Sequence, residues 1–193
     1  VAQLAEVLRA HDFEVRYDLA PSVDVVILVD PREASNKPFG PAEIAAFRRA
    51  HPRSRVLHRI NECDQRKGTD FMDRMLEEAN ALADHTVFIS AWLRDYHASR
   101  WFDRVRPHSV IYNGADDRIF FPARRTSRSP EPFRVVTHHW SYHPLKGFDV
   151  YRQVDEALAA GRLPGFEFRV IGRWPEVLAW RAARTFPPAA GRP

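Results

Sequence analysis

The chain has 193 residues, 45% of them hydrophobic, and carries a formal net charge of +4. That length and apolar content suit one large or two small globular domains and argue against disorder. No run of about 18 apolar residues occurs, the opening VAQLAEVLRAHDFEV lacks the basic and apolar blocks of a secretory signal, and a single cysteine, Cys63, excludes an internal disulfide or a cysteine-rich zinc site, so a cytoplasmic protein is expected.

The first residues, Val1, Leu4, Ala5, Val7 and Leu8, have helical spacing with the start of the helix missing. At the other end TFPPAAGRP cannot continue an element, so a fragment cut at both ends is expected. Between them, short β-rich apolar runs recur: FEVRYDL, VDVVILV, SRVLHRI, HTVFIS, HSVIY, FRVVTHH and FEFRVIG. Most are separated by helical patterns. PAEIAAFRRA opens with Pro41 at a favoured first-turn position. In TDFMDRMLEEANALA, Thr69 stands where a cap is wanted, and Phe71, Met72, Met75, Leu76, Ala79, Leu82 and Ala83 share one face. AWLRDYHASRWF and FDVYRQVDEALAAG complete the helices, and Ser90 reads as the cap of the former. Alternating strands and helices predict an α/β fold with right-handed crossovers and parallel sheets covered on both faces.

In VIYNGADDRIFFP, residues Asn113 and Gly114 allow either a two-residue hairpin or a tight exit turn at the carboxyl edge of a parallel sheet, and the alternation favours the exit turn. The polar, basic, proline-bearing stretch ARRTSRSPEP that follows has the composition of an exposed linker. The expected organisation is a first domain over 1–122, a linker over 123–132 and a partial second domain over 133–193. With two strands, the second domain is too small to stand alone. A single receiver- or flavodoxin-like domain with one continuous sheet is the competing architecture.

Ligands of open α/β sheets bind beyond the carboxyl ends of the strands, beside helix N-termini whose free N–H groups favour phosphate. Such an edge is expected in THHWSYHPLKGFDVY, with His139 and Trp140 after the strand and Lys146-Gly147 opening the helix. The lysine can meet a diphosphate and the glycine allows close backbone approach. Gly172 and Arg173 end the next strand at the same edge. His138 and His139 point to opposite faces of a strand, so no metal site is expected from them and His143. In the first half, Asn61, Glu62 and Asp64 follow a strand. Glu62 and Asp64 could orient a hydroxyl or act as acid and base, or could instead cap a helix or pair with Arg66 or Lys67. The positive excess is small and mostly arginine, suiting phosphate-bearing ligands or anionic lipid. Basic residues are scattered and no nucleic-acid-binding motif is visible, so no nucleic-acid partner is expected. Arginine and tryptophan in AWLRDYHASRWFDRVR raise peripheral contact with the inner membrane face as a secondary expectation.

VIYNGADDRIFFP resembles the NG-x-D…F-x-P signature of GT-B glycosyltransferases, family 4 in particular, and HTVFISAWLRDY, HRINECDQRKG and THHWSYHPLKGFDVY are similar to other segments of that family. The resemblance spans most of the chain. It implies a GT-B architecture of two Rossmann-like domains, both incomplete here, and retaining transfer of a sugar from a nucleotide-diphosphate donor to an unknown glycan, lipid or small-molecule acceptor. The donor would be held by Lys146, Gly147, Trp140, His139, Gly172 and Arg173, Asn113, Gly114 and Asp116 would form the interdomain turn, and neither cofactor nor metal would be needed. Several positions depart from the pattern. The family places an arginine six residues before this lysine, where Trp140 stands, and a histidine near Asn61, with His58 instead inside the strand. The glycine-rich loop and paired glutamates of the family would lie outside Val1–Pro193, so the chain alone is expected to be inactive. A non-catalytic nucleotide- or sugar-binding module of the same fold is the alternative.

Overall fold

A computed structural model describes residues 2–33, 37–122, 132–139 and 146–172. The chain divides into two compact units, Val1–Asp116 and Asp117–Pro193. The division falls inside VIYNGADDRIFFP.

In the first unit helix α1 (Ala2–Ala10) is followed by β1 (Val25–Leu28), α2 (Pro41–Ala50), β2 (Arg55–Ile60), the single turn α3 (Asp64–Lys67), α4 (Met72–Asn80), β3 (His85–Phe88), α5 (Ala91–Ala98) and β4 (His108–Val110). The four strands form one parallel sheet in sequence order, β1-β2-β3-β4. Register sets Val26 beside Val56, Leu28 beside His58 and Thr86, and Ile60 beside Phe88, so these side chains share one face. That face is closed by helices. Ile44 and Phe47 of α2 pack with Val26, Leu28 and Val56, while Met72 and Leu76 of α4 and Leu93 and Tyr96 of α5 pack with Ile60, Phe88 and Phe102.

Coverage of both faces was the expectation, and the strand order explains the difference. Every crossover steps in the same direction, and right-handed crossovers that step the same way put their helices on the same side. On the opposite face, Val25 is 48% exposed and Ile27, Leu57 and Val87 are half-buried.

FEVRYDL forms no strand. Arg16 is forked between Glu14 and Asp18, its neighbours two residues away on either side, at 3.0 Å each, and Phe13 and Tyr17 are exposed. Among the described residues nothing pairs with the outer edge of β1, so this stretch has no ladder to join. Helix α4 is also shorter than its apolar stripe suggests: it starts at Met72 and stops at Asn80. Arg106 explains the stop, because its guanidinium donates to the carbonyls of Asn80 and Ala83 at 3.0 and 3.1 Å and satisfies the helix end. Ser90 does cap α5, accepting from the Leu93 N–H at 3.1 Å.

Asn113 and Gly114 make no hairpin. β4 runs parallel to β3, and after the Ile111 N–H donates to the Phe88 carbonyl at 2.9 Å the described chain up to residue 122 pairs with no further strand. The left-handed glycine conformation that such a hairpin turn demands is also missing at Gly114.

The second unit contains β5 (Phe133–His139), α6 (Phe148–Ala159) and β6 (Phe166–Gly172), with β5 and β6 in a separate parallel sheet. A continuous sheet across all six strands is therefore not formed. Helix α6 packs through Tyr151, whose ring lies 5.9 Å from that of Phe168 and whose hydroxyl is 3.3 Å from that of Thr137. Phe148 is the only buried hydrophobic residue among those described in this unit, and Phe133, Val136 and Ile171 are exposed. Among the described residues, two strands and one helix leave both sheet faces largely open.

Candidate functional site

The carboxyl edge of the first sheet is built around the segment that leaves β2. Asn61 is half-buried there. Glu62 lies 3.0 Å from the Lys67 ammonium and 3.8 Å from the Arg32 guanidinium, with its side chain largely covered. Arg32, from the loop after β1, pairs with Asp30 at 2.8 Å, and Lys37 approaches the same carboxylate at 2.9 Å while donating to the carbonyls of Asp30 and Arg32. Burial works against the Asp30 charge, but hydrogen bonds from Arg32 and Lys37 outweigh it and hold the carboxyl down at about 2. The edge thus carries an interlinked set of two acids and three cations.

Asp64 caps a helix. Its carboxylate accepts from the backbone N–H groups of Met72 at 2.8 Å and Asp73 at 3.1 Å, the first free donors of α4, and from the Thr69 hydroxyl. Asp73 replies by accepting from the Asp64 N–H at 3.0 Å, a reciprocal arrangement like a capping box but spanning nine residues. Burial opposes ionisation of Asp64, yet the Thr69 hydroxyl and these N–H groups leave its pKa below the ordinary value. Of the roles the sequence left open for Asp64, helix capping is the one its bonds support. Thr69, expected to cap α4 directly, instead braces the residue that does.

Two buried side chains of α5 that the sequence reasoning did not single out hold this edge in place, and a third, His58, is bonded deeper in the sheet. His97 of α5 is fully buried and its Nε2 sits 3.1 Å from the Glu62 carbonyl, tying the segment after β2 to α5. Tyr96 donates its hydroxyl to Asp73 at 2.6 Å; burial first, then that carboxylate, pushes its pKa up to about 12. His58 of β2 places Nδ1 3.1 Å from the Asn80 side-chain oxygen, which also accepts from Thr86 at 2.8 Å. Burial pushes His58 down to about 4 and moves His97 in the same direction. Polar residues at buried register positions were the available sequence signal, and only the fold reveals their partners. Cys63 is buried and its thiol pushed up by burial, which leaves it unreactive.

Beyond β4, Asn113 accepts from the Arg59 guanidinium at 2.7 Å, fixing the exit turn to β2. Gly114 is exposed and Asp116 half-buried.

In the second unit, His139 and Gly172 are register partners at the carboxyl ends of β5 and β6. Lys146 is exposed immediately before Gly147, the cap residue of α6, which adopts φ 80°. A side chain is strained in that left-handed conformation and glycine is not. Thr137, two residues before His139, meets Tyr151 in the second turn of α6, so the start of α6 lies toward the carboxyl end of β5. Trp140, His143 and Arg173 lie outside the described residues.

Among the described residues no group of three His, Cys, Asp or Glu side chains could hold a metal ion, and no helix is long and apolar enough to cross a membrane. On α5 and the turn after it, Arg94 and Arg104 both pair with Asp95 at 2.8 Å, so these arginines are engaged within the fold. Two parallel α/β units with this pattern of crossovers define a generic Rossmann-like arrangement. Searches of known protein families, curated proteins and solved structures find no match.

Proposed function

We propose that the chain is part of a GT-B-type retaining glycosyltransferase that takes a sugar from a nucleotide-diphosphate donor. The first unit serves the acceptor and the second the donor, in the cytoplasm where nucleotide sugars are made. The observation that carries this reading is the start of α6: a lysine and a left-handed glycine open a 12-residue helix that is the next described helix after the parallel strand β5. The positive end of the helix and the lysine next to it in sequence each favour a diphosphate. Lys146 would stabilise charge on the departing nucleoside diphosphate as the glycosidic bond breaks. The test is calorimetric titration of the chain with uridine, guanosine and adenosine diphosphates, repeated with Lys146→Ala. At least about tenfold weaker binding is expected of the variant; equal binding by both proteins removes Lys146 from the site.

A second reading, a nucleotide- or sugar-binding module without chemistry, is favoured by one observation. Asp64 is engaged as a cap and Glu62 is paired with Lys67, which leaves neither carboxylate open for acid–base work. Donor hydrolysis separates the two readings: nucleotide-sugar binding with no turnover in the complete protein favours the module.

A further inference from the structure

We draw no further inference here: the strongest candidate, the uncharged outer edge of β1 (Val25–Leu28), pairs with no further strand among the described residues, and nothing in the structure shows what covers it.

Discussion

Acidification from pH 7 to 5 should loosen the first unit through His58. The imidazole is fully buried, its Nδ1 is bonded to Asn80, and its Nε2 has no partner, so a second proton would sit as a charge on a donor with nothing to receive it. Burial pushes its pKa to about 4 against an ordinary 6.5. The unfolded chain therefore binds a proton between these values while the native chain does not. Stability from this group is complete above about 6.5 and falls as pH drops toward 4. At about 1.4 kcal/mol per pH unit the whole gap is worth roughly 3 kcal/mol, and about 2 kcal/mol of it is lost by pH 5. His97, moved the same way by its burial, adds to the loss. Cys63, fully buried, is the natural reporter: samples equilibrated in urea receive a brief pulse of a dithiodipyridine, which reacts in acid, and the labelled fraction gives the unfolded population. Wild type should lose about 2 kcal/mol more than His58→Leu between pH 7 and 5. Equal losses would refute the assignment of acid sensitivity to His58, whatever the absolute stability of the variant.

Two further outcomes follow from the same packing. Asp64→Ala removes the acceptor of two helix N–H groups and should cost about 1–2 kcal/mol by the same urea assay, with Asp64→Asn recovering part of it; nucleoside diphosphate affinity should not move, and a selective loss of that affinity would return Asp64 to the ligand site. Gly147→Ala should cost about 1 kcal/mol or more through backbone strain, because an added Cβ meets only Tyr151 at an ordinary 3.9 Å; circular dichroism during thermal unfolding would detect it, and an unchanged or raised midpoint would contradict the left-handed cap.

All six described strands were legible as apolar runs, and in β1 to β3 burial of every second residue coincides with the alternation. Val56, His58 and Ile60 face the helices while the residues between them do not, and a period of two records that directly. FEVRYDL has the same period without a neighbouring strand to pair with, and period alone does not reveal whether a partner exists. The cap of α4 was misplaced for a related reason. Thr69 is the local candidate, but the helix donors are taken by Asp64, eight residues before Met72, through a fold in the chain that α3 creates. Buried contacts such as His97 to Glu62 and Arg106 to Asn80 join positions tens of residues apart, where no spacing rule reaches. The seam near Asn113 was visible as a change of composition, and its fastening by Arg59 was not.

The sequential order of β1 to β4 sets how this edge can evolve. Crevices in open parallel sheets form where successive connections depart in opposite directions and leave two strands parted at their tips. Here every connection departs the same way, so among the described residues the tips form an unbroken rim. Residues 61–70, which stand on that rim, are fastened to the helices beneath through Cys63, the Asp64 carboxylate and the Glu62 carbonyl, so a change in this loop is carried into α4 and α5.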